Sequence, residues 1–208
     1  LTGASDASGA TTWPNDPFYA PQQWDMNNVG LYGGTEDFDI DGPEGWSIST
    51  GNVPSVKLGI LDTGLDLGHP DISHVEPGPN YIAPGELPHD RNPSSHGTAV
   101  PGVAAMQGDN SIGGAGVAWG ITVVPVKIQD FAGSSTAQTR AEAVDWWRSQ
   151  GIKVINMSYA GTSADNAERE ALQNARAAGM ACVAAAGNQN NDSTLVYPAG
   201  YVHHVLAT

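Results

Sequence analysis

The chain has 208 residues, enough for one domain with a sizeable core, and 40% of them are hydrophobic against 14% charged. Its formal net charge is −14, with 8 Lys and Arg against 22 Asp and Glu, which argues against a nucleic-acid partner because phosphate contacts need clustered cations. No apolar run approaches the roughly 18 residues of a membrane span, and the single Cys182 excludes an intrachain disulfide.

Residues 1–55 are rich in Gly, Pro, Asn, Asp and Trp and read as an N-terminal arm with little regular structure. Within it, Gly42-Pro43-Glu44-Gly45-Trp46 suits a short helix with Pro in its first turn. Leu1-Thr2-Gly3-Ala4-Ser5 has neither the charged nor the apolar region of a signal peptide, as a processed terminus or an arbitrary boundary would both show. Residues 56–208 read as the rest of the same domain. The run 56–61 is apolar and stops at Asp62-Thr63-Gly64, which predicts a buried strand. Residues 73–93 hold many Pro and Gly and read as an irregular loop. From His96, the residues Val100, Val103, Ala104 and Ala105 give a helical stripe that ends near Gly108.

The run 121–128 predicts a second strand, and 139–149 an amphipathic helix with Ala141, Ala143, Val144 and Trp147 on one face. A third strand is expected over 154–158, a helix over 164–178, a fourth strand over 180–186 and the start of a fifth over 202–207. Cys182 lies inside an apolar run and reads as a buried, inert thiol. Strands alternating with helices predict an α/β fold, a doubly wound and mostly parallel sheet with helices on both faces. Functional groups in such sheets gather at the carboxyl ends of the strands. Asp62 and Asn188 stand at such ends, with Ser158 beside them.

Four segments carry a resemblance. Ile60-Leu61-Asp62-Thr63-Gly64-Leu65-Asp66 with His69-Pro70-Asp71-Ile72 resembles the aspartate motif of the subtilisin-like serine proteases. Ser95-His96-Gly97-Thr98-Ala99-Val100-Pro101-Gly102-Val103-Ala104-Ala105 resembles their histidine motif. Val154-Ile155-Asn156-Met157-Ser158 resembles the substrate-binding strand, and Val183-Ala184-Ala185-Ala186-Gly187-Asn188 the segment with the oxyanion asparagine. Taken alone, Asp62 could be a turn acid, His96 a helix-start histidine and Asn188 turn chemistry. Their joint occurrence in the family's order reverses those odds. The resemblance runs from Pro14-Asn15-Asp16-Pro17 to the end of the chain and is nearest to the thermitase-like branch of the subtilases.

The resemblance implies a serine endopeptidase. His96 would be the general base, Asp62 would fix its tautomer, and Asn188 would donate its amide to the oxyanion. Ser158, Tyr159 and Ala160 on one side, and Gly133, Ser134 and Ser135 on the other, would hold an extended peptide or protein substrate as an added strand. Ala185, Ala186 and Gly187 would line the pocket for the residue before the scissile bond. Ala99 and Pro101 depart from the family's usual residues without touching this relay, and Ala160 replaces a common glycine at the primary specificity pocket.

The nucleophile is the serious departure. The family carries its serine in Gly-Thr-Ser ahead of a helix after the asparagine, whereas Gly161-Thr162-Ser163 comes before Asn188. Ser163 therefore reads as a cap for the helix expected from Ala164. The expectation is a sheet cut short on its C-terminal side and inactive alone. The serine would lie in the C-terminal remainder of the domain, continuous with this chain or bound as a separate one. The other class of reading is an inactive fragment or pseudoprotease that serves as a binding module.

The resemblance also implies a structural calcium. Asp16 and Asp71 match its carboxylates, and the loop 107–114 supplies the Asn110 side chain and the carbonyls of Gln107, Ile112 and Gly114. With no nucleic-acid or membrane partner expected, it implies a secreted, extracellular protein.

Overall fold

The computed structural model describes residues 11–53, 55–130, 135–188, 190 and 194–208. They fall into two compact units. Of the described residues, one comprises those within 11–53, 70–73 and 102–120, and the other those within 55–69, 74–101 and 121–208.

The first unit holds most of the arm, which is more structured than its composition suggests. It contains helices α1 (Tyr19–Gln22) and α2 (Gly42–Ile48), with Pro43 in the first turn of α2. Tyr19, Met26, Trp46, Ala115 and Trp119 form a buried cluster of their own. The Trp46 indole donates to the Val117 carbonyl at 2.9 Å, and the Gln23 amide exchanges two 2.7 Å bonds with the backbone of Ala115. Large aromatic residues scattered through a polar arm thus supply the apolar area that its short helices lack.

The second unit is built on a five-stranded sheet: β1 (Lys57–Asp62), β2 (Thr122–Lys127), β3 (Val154–Met157), β4 (Ala181–Ala184) and β5 (Leu206–Ala207). All neighbouring pairs are parallel, in the order β2-β1-β3-β4-β5. Five of the six residues of β1 are buried, as its unbroken apolar run requires of a central parallel strand. Helix α3 (His96–Ala105) lies in the connection from β1 to β2; α4 (Ala137–Ser149) and α5 (Asn166–Ala177) follow β2 and β3. The β1-to-β2 connection runs along the sheet in the direction opposite to the later ones. Trp147 and Val144 of α4 pack with Leu172 and Ala175 of α5 and with Ile155 and Met157 of β3 in one core.

Two expectations change. Helix α5 begins at Asn166, and its cap is Asp165, whose carboxylate accepts from the backbone of Ala167 and Glu168. Ser163 is exposed and lies ahead of that cap. A carboxylate at a helix N-terminus satisfies orphan N–H groups and meets the positive end of the dipole, so it wins over the hydroxyl two residues earlier. β5 is shorter than expected, because Val202–His204 turn instead of extending. No helix among the described residues is long and apolar enough to cross a membrane.

Candidate active site

Asp62 is the last residue of β1 and is 1% exposed. The chain leaves it through Thr63 and Gly64, and Gly64 has φ +111°, a conformation that side chains rarely adopt. Thr63 donates its N–H to Asp62 Oδ1 at 2.7 Å. His96 opens α3, and its Nδ1 stands 2.8 and 2.9 Å from the two Asp62 oxygens. The histidine side chain is 48% exposed, so the pair joins a buried carboxylate to a ring open to solvent. Gly97 is what allows this approach. A Cβ there would fall 2.3 Å from the Gly64 carbonyl oxygen and 2.8 Å from Thr63 Oγ1.

Burial pushes the Asp62 carboxyl above its usual range, opposed by the hydrogen bonds from His96 and Thr63. An ionised carboxylate can only accept, so with Asp62 charged the proton sits on Nδ1 and Nε2 is the basic nitrogen.

The register aligns the remaining expected residues. Leu61 pairs with Met157 and Met157 with Ala184, so Asp62, Ser158 and Ala185 form the next row at the carboxyl edge of three adjacent strands. The Asn156 amide donates to Ser158 Oγ at 2.8 Å. Asn188 is exposed, four residues beyond the end of β4. Ala185 and Ala186 donate their N–H groups to Met157 and Thr208. Gly187 follows at φ +95°. Ala160 is exposed, whereas the Tyr159 hydroxyl turns to Glu168 at 3.0 Å. Gly133 and Ser134 lie outside the described residues. Ser135 accepts twice from Arg140 Nη1, through its carbonyl and its hydroxyl.

Composition and motif spacing missed one group here. Glu168, 1% exposed, pairs with Arg140 at 2.7 Å, and Arg140 lies over the Tyr159 ring. A Glu inside an otherwise polar helix face gives no sign from sequence that it is buried.

The Peptidase_S8 profile, described as the subtilase family, matches residues 54–207. The chain belongs to the subtilase family. It is 34% identical to thermitase of Thermoactinomyces vulgaris over 189 residues, covering 90% of this chain and 62% of thermitase. It is 36% identical to subtilisin DY of Bacillus licheniformis over 150 residues, 71% of this chain and 53% of that protein. The chain therefore spans only about three fifths or less of the length of these relatives. Among solved structures, the psychrophilic subtilisin-like protease Apa1 from the Antarctic psychrotroph Pseudoalteromonas sp. AS-11 superimposes with a TM-score of 0.65 at 31% identity. That match covers 74% of this chain and 35% of Apa1.

The calcium ligands expected of a subtilase all fall in the first unit. Asp16 and Asp71 are 5% and 1% exposed. Asp16 accepts from the backbone of Asp109 and Asn110 at 2.7 and 3.1 Å. Asn110 donates its side-chain amide to Asp71 Oδ1 at 2.8 Å, and Gly114 donates its N–H to Asp71 Oδ2. Gln107 donates its N–H to the Asp71 carbonyl, and Ile112 to Asn110 Oδ1. Two buried carboxylates are thus tied through one asparagine. Among the described residues no cluster of three or more His, Cys, Asp or Glu has metal-binding geometry, so an ion here would rely on amide and carbonyl oxygens.

Proposed function

We propose that this chain is the larger part of a serine endopeptidase that hydrolyses peptide bonds through an Asp-His-Ser triad whose serine lies outside these 208 residues. The observation that carries the reading is the Asp62–His96 pair, with Nδ1 within 2.9 Å of a buried carboxylate and the ring half open to solvent. Such a pair leaves Nε2 free to take a proton from a serine hydroxyl as it attacks the peptide carbonyl, and to return it to the leaving amine. Asp62 stabilises the imidazolium formed in between. Asn188 donates to the oxyanion, a contact whose loss typically costs about 100 to 1000-fold in turnover.

The segments 133–135 and 158–160 hold the substrate backbone, and Ala185, Ala186 and Gly187 line the pocket before the scissile bond. Main-chain pairing tolerates many sequences, which supports broad cleavage of extended peptides; likeness to the subtilisins supports action outside the cell. Calcium fits the loop 107–114, to which the buried carboxylates of Asp16 and Asp71 are both tied. When bound, it would supply the positive charge that offsets them and tie the arm to the loop 107–114.

The test is labelling with a fluorophosphonate together with peptide-library cleavage. A serine on residues beyond this chain that reacts only while His96 is intact, with cleavage at many sequences, is the expected result. The position of Gly161-Thr162-Ser163 ahead of α5 favours one other reading, a pseudoprotease that binds peptides. A homogeneous 21.5 kDa species that binds peptides without labelling or cleavage would establish that reading instead.

A further inference from the structure

One carboxylate outside the pair joins both elements that carry it. We propose that Asp90 is a positioning residue for Asp62 and His96, an inference that rests on the peptidase reading for its catalytic consequence. Asp90 Oδ1 accepts from Thr63 Oγ1 and from the Asn92 N–H, each at 3.0 Å. Its Oδ2 accepts from the N–H and the hydroxyl of Thr98, also at 3.0 Å. Thr63 follows Asp62 directly, and Thr98 lies two residues after His96. A single side chain therefore fastens the turn after β1 to the first turn of α3.

The rest of the network closes around this contact. Thr63 Oγ1, while donating to Asp90, accepts the Gly97 N–H at 2.9 Å. Thr98 Oγ1 accepts the Asp66 N–H at 2.9 Å. The first N–H groups of a helix have no partner within it, and here those of Gly97 and Thr98 are taken by Thr63 and Asp90. Asp90 is itself held by its backbone N–H to the Leu65 carbonyl at 2.9 Å. Lys127 holds the same strip, donating to the carbonyls of Thr63 and His89 at 2.7 and 2.8 Å.

These hydrogen bonds constrain the two degrees of freedom that matter for a proton relay, the rotation of α3 about its start and the distance from that start to Asp62. Charged acceptors give shorter and stronger hydrogen bonds than neutral ones, so Asp90 does what an uncharged residue would do less firmly. Misplacing a reacting group by about 1 Å can cost about 100-fold in rate.

The test uses Asp90→Asn, Asp90→Ala and Asp90→Glu. The Nδ1 proton of protonated His96, hydrogen-bonded to Asp62, gives a low-field NMR resonance that reports the pair directly and needs no nucleophile. In Asp90→Ala and Asp90→Asn this resonance is expected to shift upfield or broaden beyond detection, with partial recovery in Asp90→Glu. In the protein that carries the serine, kcat falls about 100-fold while KM changes little. Should the Asp90 variants fail to fold, Thr98→Val removes one bond to the same carboxylate and gives a smaller shift in the same direction. Folded variants with an unchanged resonance, or an unchanged kcat, overturn the proposal. A wild-type protein that neither labels nor cleaves defeats the peptidase reading alone, because the resonance still judges the brace.

Discussion

At the scale of single residues, Asp62 is held in a costly state. Its carboxyl is raised by burial, so the folded chain keeps the proton to higher pH than the unfolded one. That contribution favours the fold at pH below the unfolded value and is lost as pH rises through the folded value. Asp62→Asn removes the buried charge, so its Tm should exceed that of the parent near neutral pH, and the gap should close on acidification through the carboxylate range. In the protein that carries the proposed serine, the same substitution should lower kcat about 10⁴-fold through the wrong imidazole tautomer. Thermal melts across that range and kinetics on one peptide substrate check both halves. Gly97 should be equally unforgiving for a different reason. In Gly97→Ala the new methyl meets backbone oxygen, which cannot move aside as a side chain would. A loss of about 1 to 3 kcal/mol by denaturant titration is expected. The pairing of Asp62 with His96 was legible because Asp62 ends an apolar run and His96 opens a helical stripe, each in a short motif. The part of Asp90 was not, since Thr63 lies 27 residues away and joins Thr98 on this carboxylate only once the strand end and helix start are in place.

Elements were legible to within a few residues wherever an apolar run was long, as in β1, β2 and α4. They slipped where two capping groups competed. The start of α5 is decided by Asp165, and the two candidate caps separate cleanly by mutation. Asp165→Ala should cost about 1 kcal/mol, whereas Ser163→Ala should leave stability unchanged, both measured by urea unfolding. The buried pair between α4 and α5 is a larger effect. Glu168 is almost wholly enclosed, with Arg140 as its charge partner and the Tyr159 hydroxyl as a further donor. Glu168→Gln strands the Arg140 guanidinium and should cost about 3 to 5 kcal/mol. A double change to apolar residues of similar volume should recover most of that loss, because removing both charges also removes both desolvation costs. Arg140 holds Ser135 and Glu168 holds Tyr159, so the pair anchors one residue of each proposed peptide-binding segment. Such a brace cannot be seen in sequence, where Arg140 and Glu168 look like ordinary charges on amphipathic helices.

At the scale of the whole molecule, the parallel sheet follows from alternating strands and helices, and its order places Asp62 on β1 at the point where the connections reverse direction. The arm was the least legible part, because it is held by aromatic burial and by the contacts of Asp16 with the loop 107–114 rather than by periodic patterning. This gives the arm a specific vulnerability. Asp16 and Asp71 are buried, and both are tied to Asn110. Two buried carboxylates brought close to the same loop place negative charge together, and a cation that binds only the folded form stabilises it by mass action. Calcium at about 100 times its dissociation constant should therefore add about 2.7 kcal/mol, and a chelator should remove it. The expected result is a Tm that rises with calcium concentration in the parent and barely moves in Asp16→Asn or Asp71→Asn. Sodium at equal ionic strength separates site binding from screening of the −14 net charge. A Tm that responds equally to both salts, or a calcium response that survives loss of both carboxylates, would refute the ion at this loop. The arm would then depend on the cluster of Tyr19, Met26, Trp46, Ala115 and Trp119 and on its hydrogen bonds to Ala115 and Val117.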